Sequence, residues 1–294
     1  MLTYSQYSIT ASLILLILGL GCYIAVMTLR QPAHRSSVKT GTNGELPITP
    51  AAPGAAAPPS ALVRYGTYFT RLALVFLTAA LVLRAIVTGH GPFSNQYEFA
   101  LSFAWGIILM YIYFEHRYHA RTIALLILPI ASAFVLYAVT IGAAVRPLVP
   151  ALQSNFLLTV HVVVAIFAYG AFTVSFAAAI LHLYQPEAGK RGLPKPALLD
   201  EIGYRAVIIG FPLLTLVVVL GAVWAQIAWG TYWSWDPKET ASLLTWFVYG
   251  AYLHARVTHG WRGRRASWLL VAGFACILLT FFGNLFFGGL HSYS

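Results

Sequence analysis

The stretch Phe156–Tyr184 reads F-L-L-T-V-H-V-V-V-A-I-F-A-Y-G-A-F-T-V-S-F-A-A-A-I-L-H-L-Y and contains no Asp, Glu, Lys or Arg. An apolar run of about 20 residues is long enough to cross a hydrocarbon core about 30 Å thick. Because lipid offers no hydrogen-bond partner to backbone N–H and C=O groups, such a run has to be helical. The stretch therefore predicts a membrane-spanning α-helix.

Similar apolar runs occur along the rest of the chain. They are Ile9–Leu29, Tyr65–Val87, Glu98–Phe114, Thr122–Ile141, Ala206–Gln226, Thr240–His254 and Ser267–Phe287. The chain is 59% hydrophobic and only 9% charged, with a mean hydropathy of +0.75, whereas about a quarter of the residues in a soluble domain are charged. We predict an all-α fold, a polytopic transmembrane bundle of about eight helices.

The Lys and Arg residues are distributed unevenly between the two sets of loops that this topology creates. One set carries most of the 18 basic residues, and the opposite set carries only Arg146 and Lys238. Cytoplasmic loops carry the excess of Lys and Arg in membrane proteins. We therefore expect both termini on the outer (periplasmic or lumenal) side. The net charge of +10 then reflects membrane topology, and no nucleic-acid partner is expected.

Composition divides the chain into three parts. Residues 1–30 form an N-terminal transmembrane helix, residues 31–63 form a Pro/Ala-rich cytoplasmic linker, and residues 64–294 form a transmembrane domain with an external Trp-rich loop at 224–240. Cys22 and Cys276 lie in apolar runs, and no C-x-x-C or C-x-x-C-H motif is present. The first absence argues against a thioredoxin-like carrier, and the second argues against a covalently attached c-type haem.

The Trp-rich loop reads W-A-Q-I-A-W-G-T-Y-W-S-W-D-P-K-E-T and contains half of the chain's 8 Trp. Trp and Tyr also favour the membrane interface, but an interfacial belt is spread over many helix ends. Concentration in one loop favours a flat apolar platform for a planar ligand, because indole faces stack on extended π surfaces. A porphyrin has this shape. The candidate contacts are Trp224, Trp229, Gly230, Tyr232, Trp233 and Trp235.

Charged residues follow the tryptophans directly. Asp236-Pro237 is typical of a helix start, with Asp as N-cap and Pro in the first turn. Glu239 adds negative charge at the positive end of that helix. Asp236 and Glu239 therefore either cap the helix or contact the ligand. Lys238 either pairs with a haem propionate or extends its charged end to the interface.

Two histidines lie at the same predicted membrane face as this loop. Haem iron needs axial ligands, and imidazole is a common one. His161 lies near the outer end of its helix, with Ala165 and Ala168 on the same side. His291 follows Gly288-Gly289-Leu290 after the last helix. Either could be a hydrogen-bonded interfacial residue, but beside the Trp-rich loop we predict a bis-histidine haem site.

A third histidine lies near the inner end of its helix. His254 shares a helix face with Phe247, Gly250 and Ala251. The small residues could admit a planar macrocycle or another helix. An ionisable residue within a membrane span is a functional candidate, so His254 is a candidate ligand of an intramembrane haem.

The string W-G-T-Y-W-S-W-D-P-K-E-T resembles the signature of the tryptophan-rich (WWD) haem-handling protein family. Within that family the chain resembles the CcsA (ResC-type) subunits of system II cytochrome c synthases. Further matches occur in this order along the chain: G-H-G-P-F-S-N-Q-Y-E at 89–98, L-V-P-A-L-Q-S at 148–154, L-D-E-I-G-Y-R at 199–205 and G-L-H-S-Y at 289–293. The resemblance covers nearly everything after the linker.

The resemblance implies a set of haem ligands and a partner. It implies that His161 and His291 are the catalytic pair that ligates the external haem iron. It also implies that His254 is one of two ligands of a haem held within the membrane, with the other His supplied by a CcsB/ResB-like membrane protein. Haem b is then the transported substrate. The further partners implied are apocytochrome c, a thiol-reducing protein and membrane lipid.

The function implied is that of a haem-handling subunit of a membrane holocytochrome c synthase. Such a subunit carries haem across the membrane and presents it for thioether attachment to the CxxCH motif of apocytochrome c. The expected location is the bacterial cytoplasmic membrane or the thylakoid, with the Trp-rich loop facing the periplasm or lumen. The alternatives are a haem transporter or chaperone without attachment activity, and a bis-histidine electron-transfer cytochrome.

Overall fold

The fold is an all-α bundle. The structure, a computed structural model, describes residues 1–29, 61–145, 156–190 and 192–290, and no strand occurs within these ranges. Its helices are α1 (Leu2–Leu29), α2 (Ala61–Thr88), α3 (Gln96–Tyr118), α4 (Ala124–Ile141, preceded by a 3₁₀ turn at Arg121–Ile123), α5 (Phe156–Tyr184), α6 (Pro196–Trp229), α7 (Pro237–Thr258) and α8 (Arg264–Phe286).

Each predicted span corresponds to one of these helices, so the predicted fold class is confirmed. Seven of the helices in the described part of the chain are long and apolar enough to cross a membrane. The helix that does not meet this hydropathy criterion is α7, whose 22 residues begin P-K-E-T and end H-A-R-V-T. Most helices extend beyond the predicted apolar runs because their polar first and last turns also adopt helical geometry. The predicted linker lies almost entirely outside the described residues.

Helix α5 lies at the centre of the bundle. It packs against α3, α6 and α8. Helix α4 packs against α3 and α1, α2 packs mainly against α1, and α7 packs mainly against α8. Gly106 of α3 and Gly170 of α5 allow a close approach, because a β-carbon on Gly170 would lie 2.7 Å from the Gly106 carbonyl oxygen. Small residues at helix crossings permit such contacts in membrane bundles.

Aromatic stacking joins α5 to the second half of the chain. The ring centroids of Phe172 and Tyr249 lie 3.8 Å apart with an interplanar angle of 14°. A β-carbon on Gly273 of α8 would lie 2.6 Å from Cζ of Tyr249, so this glycine makes room for the tyrosine ring. The stack therefore fixes α7 and α8 against α5.

We call the end of the bundle where α6 ends and α7 begins the tryptophan end. A buried ion pair lies toward this end: Arg84 Nε donates to Glu98 Oε1 at 2.9 Å, and both side chains are almost fully buried. The Arg84 guanidinium also donates to the carbonyl oxygens of Ala143 and Ala144, at 2.7 and 3.2 Å. These bonds tie α2, α3 and the segment after α4 together. Which membrane face the tryptophan end occupies remains a prediction.

Candidate functional site: a cavity at the tryptophan end

Helix ends set the position of the tryptophans. Helix α6 continues through Trp229 and ends at Gly230, whose φ of 79° is left-handed, a conformation that favours glycine at helix ends. Helix α7 begins at Pro237. The loop predicted at 224–240 is therefore shorter in the structure, because residues 224–229 contain no helix-breaking residue. Trp224 lies in the last turns of α6, and only residues 230–236 form a loop.

The platform hypothesis expects the four indoles to form a flat surface, but they do not lie in one plane. They form two edge-to-face pairs: Trp224 with Trp229, at 4.7 Å and 78°, and Trp233 with Trp235, at 5.8 Å and 87°. Edge-to-face packing is favoured because the positive edge of one ring meets the negative face of the other. Trp224 is buried, whereas Trp235 is 69% exposed. The tryptophans thus form a wall rather than a flat surface.

Two of these tryptophans, Trp224 and Trp233, line a cavity between the helices. About 980 Å³ of space not filled by atoms lies between the lining side chains, including the part open to the surroundings. Small-molecule sites are mostly apolar and have a few polar groups that fix the ligand. Six residues predicted from the sequence line the cavity: His161, Trp224, Tyr232, Trp233, Lys238 and Glu239.

Several other residues that line the same cavity were not predicted from the sequence. They are Gln96, Phe99 and Phe103 of α3, Tyr169 of α5, Val217 and Gly221 of α6, and Thr280 and Phe281 of α8. Phe103 stacks on Tyr169 at 5.3 Å and meets Phe281 edge-on at 5.1 Å. The sequence match at 89–98 includes the first three residues of α3, among them Gln96, but it does not reach Phe99 or Phe103.

His161 is half-buried in α5 and lines the cavity between α5 and α6. Ala165, predicted to share its face, also lines the cavity, while Ala168 is fully buried in the bundle core. The imidazole lies close to Gly221 of α6, since a β-carbon there would be 2.9 Å from His161 Cε1. His161 therefore stands where a ligand in the cavity can meet it.

His291 lies outside the described residues, which end at Leu290. The chain leading to it is held by Asp236, because the Leu290 backbone N–H donates to Asp236 Oδ1 at 2.7 Å. Gly289 packs against the same carboxylate, so closely that a β-carbon there would overlap Oδ1. The segment that precedes His291 thus contacts the start of α7.

Asp236 and Glu239 form a capping box at the start of α7. Asp236 Oδ2 accepts from the Lys238 backbone N–H at 3.1 Å, and Glu239 accepts from the backbone N–H groups of Ser234 and Asp236 at 2.8 and 3.3 Å. These bonds satisfy donors that a helix start leaves unpaired. Both carboxylates are buried and serve the backbone, as the capping alternative expects.

Lys238 and Trp233 provide hydrogen-bond donors in the cavity wall. Lys238 Nζ lies 5.2 Å from the centroid of the Phe99 ring. Lys238 lies before the apolar stretch of α7. Desolvation lowers the pKa of its ammonium group to about 8, and this effect outweighs the opposite effect of the nearby Asp236 carboxylate. Trp233 Nε1 is buried and has no hydrogen-bond partner within the described ranges. A cation and an N–H donor in one apolar cavity suit an anionic group on a ligand.

His254 lies apart from this cavity. It is exposed on α7, toward the opposite end of the bundle, and its ring meets that of His259 edge-on at 5.9 Å and 79°. Gly250, one turn earlier, has the Phe211 ring of α6 3.6 Å from the position of a β-carbon. Phe247 is 57% exposed. His254 therefore faces the surroundings of the bundle, where a lipid or another protein can meet it.

The sequence is similar to a known family and to several known proteins. The sequence profile of the family described as Cytochrome C assembly protein matches residues 93–291. The cytochrome c biogenesis protein CcsA of Guillardia theta is 38% identical over 260 residues, covering 79% of this chain and 85% of that protein. The CcsA protein of Gloeobacter violaceus is 36% identical over 290 residues, covering 78% and 86%.

A solved structure shares the fold at low sequence identity. Cytochrome c Heme Lyase CcmF matches with a TM-score of 0.65 and 18% identity, over 96% of this chain and 46% of that one. This chain thus spans less than half of the CcmF chain. The profile match covers all of the Trp-rich segment, and the CcsA proteins match over most of their own length. The chain therefore belongs to the cytochrome c assembly protein family and, within it, to the CcsA proteins of cytochrome c biogenesis.

Proposed function

We propose that this protein binds haem in the cavity at the tryptophan end and presents it for covalent attachment to apocytochrome c. The observation that carries the proposal is the meeting of His161, three aromatic side chains of the Trp-rich segment and Lys238 around one cavity. Imidazole is a ligand for haem iron, and the aromatic walls suit the faces of a porphyrin. The family to which the chain belongs supports a role in cytochrome c maturation.

The polar groups of the cavity suit the propionate end of a haem. Lys238 would pair with a propionate, and the Trp233 N–H, which has no partner in the described part of the chain, would donate to the same carboxylate. Hydrogen bonds to a charged acceptor are stronger than those between neutral groups. The remaining wall is mainly apolar and accommodates the ring and its vinyl groups.

His161 and His291 are the proposed axial ligands. His161 would approach the iron from α5. His291 would approach from the chain segment after α8, which the Asp236 carboxylate holds at Leu290. Two imidazole ligands favour a six-coordinate, low-spin iron. The two histidines come from distant parts of the sequence, so ligation requires the folded bundle.

The attachment reaction places haem b between this protein and an apocytochrome with a CxxCH motif. Each cysteine S–H adds across one vinyl C=C bond: a C–S bond forms, and the thiol proton ends on the other vinyl carbon. The addition needs no external oxidant or reductant. The protein would contribute by orienting the vinyl groups toward the thiols, because a fixed geometry removes much of the entropic barrier.

The proposal includes a second, intramembrane haem site at His254. His254 is exposed on the bundle surface, where a CcsB/ResB-like membrane protein could reach it and would supply the second ligand. Haem would pass from this site to the cavity at the tryptophan end, which we place on the periplasmic or lumenal side. Retention of the inner haem after His254→Gly would contradict this part of the proposal.

Reconstitution tests the attachment function. The purified complex with its CcsB/ResB-like partner is incubated with haem, a thiol reductant and an apocytochrome that carries CxxCH. We expect a product whose haem stays bound after acid–acetone extraction and whose mass has increased by one haem. An apocytochrome with SxxSH is the matched control. Haem uptake without thioether product would instead indicate a haem transporter or chaperone.

A further inference from the structure

Gly221 and His161 make an unusually close contact between α5 and α6. A β-carbon added to Gly221 would lie 2.9 Å from Cε1, 3.4 Å from Nδ1 and 3.8 Å from Nε2 of the His161 ring. These are the three nearest atoms, and all belong to the imidazole. Carbon atoms in ordinary contact lie about 3.5–4.0 Å apart. The imidazole therefore occupies space that any other residue at position 221 would take.

This glycine stands inside a helix, where glycine is less favourable than alanine. It carries no left-handed backbone and ends no helix, so the conformational freedom of glycine is not needed there. Gly21 of α1 provides a contrast, since a β-carbon added there would meet nothing within 4 Å. What distinguishes Gly221 is the histidine ring on the neighbouring helix.

We propose that Gly221 is a positioning residue that fixes the His161 imidazole in the cavity wall, with its ring against the α6 backbone. The inference rests on the proposed function, in which His161 ligates haem iron. A metal-ligating nitrogen has to point at the iron, and supporting groups fix ring orientation at such sites. A displacement of about 1 Å is enough to impair a site that depends on geometry.

The position of Gly221 in the cavity supports this role. Gly221 itself lines the cavity, together with Val217 and Val218 of the preceding turn and Ala222 beside it. Because the ring contacts α6 on one side, a methyl group at 221 would push it away from α6 and change the direction of its nitrogens. The ligand would remain present but would bind iron less well.

The test uses the intact complex and three variants: Gly221→Ala, His161→Gly and the double variant. Gly21→Ala is the matched control, because it makes the same change in a helix where the space is open. The measurements are the low-spin fraction from absorption and electron paramagnetic resonance spectra, and the rate of haem transfer to an apoprotein scavenger. We expect Gly221→Ala to show a high-spin fraction and haem loss about tenfold faster, which corresponds to about 1.4 kcal/mol. Gly21→Ala should match the wild type.

The double variant tests whether Gly221 acts through His161. In the His161→Gly background the added methyl group enters space that the imidazole has left. The double variant should therefore lose haem at the same rate as His161→Gly alone, since coupled residues give non-additive effects. If Gly221→Ala alone folds poorly, the double variant should recover the thermal stability of His161→Gly.

The outcomes separate this inference from the proposed function. Wild-type spectra and haem retention in Gly221→Ala, together with haem loss in His161→Gly, would overturn the positioning role and leave the haem site intact. Equal effects of the methyl group with and without His161 would also overturn it. Unchanged low-spin haem in His161→Gly would instead reject His161 as the ligand, and with it the basis of the inference.

Discussion

The Asp236 carboxylate joins the start of α7 to the chain segment after α8. Its Oδ1 accepts from the Leu290 backbone N–H at 2.7 Å, while its Oδ2 accepts from the Lys238 backbone N–H at 3.1 Å. The first bond links residues 54 positions apart in sequence. One side chain thus holds the Trp-rich loop next to the segment that leads into His291.

Replacing Asp236 by Ala should lower both stability and haem occupancy. Loss of an N-cap side chain typically costs about 1 kcal/mol, and the Leu290 N–H also loses its acceptor. Asp236→Asn keeps one carbonyl oxygen and should fall between Ala and the wild type. The measurements are thermal unfolding of the purified complex and haem per protein. A wild-type haem content in Asp236→Ala would show that the Leu290 contact does not matter for the site.

Gly289→Ala should weaken the same junction from the other side. A β-carbon at Gly289 would overlap Asp236 Oδ1, whereas a β-carbon at Gly288 meets no described atom within 4 Å. We expect Gly289→Ala to reduce haem occupancy several-fold because the carboxylate has to move. Gly288→Ala is the matched control and should retain haem. Equal behaviour of the two variants would argue against the close contact.

The sequence was informative where local chemistry sets the structure. The start of α7 could be predicted because Asp236-Pro237 is a local capping signal. The end of α6 was misplaced because the residues from Trp224 to Trp229 contain no helix breaker, and the helix continues to Gly230. The Asp236–Leu290 contact joins distant segments, and the role of Phe99 in the cavity wall depends on which face of α3 turns inward. Neither is encoded in local spacing.

Lys238 should give haem binding a pH dependence. With a pKa of about 8, the ammonium is charged at pH 6.5 and largely neutral at pH 9.5, so the empty cavity loses its cation as pH rises. We expect haem affinity to fall by about tenfold between these pH values, because the charge pair between Lys238 and a haem propionate is lost. A tenfold change corresponds to about 1.4 kcal/mol. The measurement is haem titration by absorbance.

Two substitutions isolate the contribution of the lysine charge. Lys238→Arg keeps its charge over the whole range, because arginine is not deprotonated in proteins, and should flatten the pH dependence. The Lys238→Met variant should bind haem weakly at both pH values. If the wild type and Lys238→Met showed the same pH profile, the titrating group would have to be another residue.

The buried pair of Arg84 and Glu98 should be a main determinant of stability. Removing one partner leaves an uncompensated buried charge, which typically costs about 3–5 kcal/mol. Arg84→Met should therefore lower the unfolding temperature strongly, and Arg84→Met/Glu98→Gln should lower it less than the sum of the single changes. The exposed pair Arg205–Glu201, at 2.6 Å, is the control, and Arg205→Met should leave unfolding unchanged. Additive effects at the buried pair would contradict the predicted coupling.

Spectroscopy of the purified complex after His161→Gly tests haem ligation most directly. The wild type should carry low-spin haem with two nitrogen ligands, and His161→Gly should lose this signal at the tryptophan-end site. Added imidazole should restore it, because the small ligand fits the space that the side chain has left. His90→Gly is the control, since His90 Nδ1 donates to the Gly91 carbonyl oxygen at 2.8 Å and His90 does not line the cavity. Unchanged low-spin haem in both His161→Gly and His291→Gly would contradict the account.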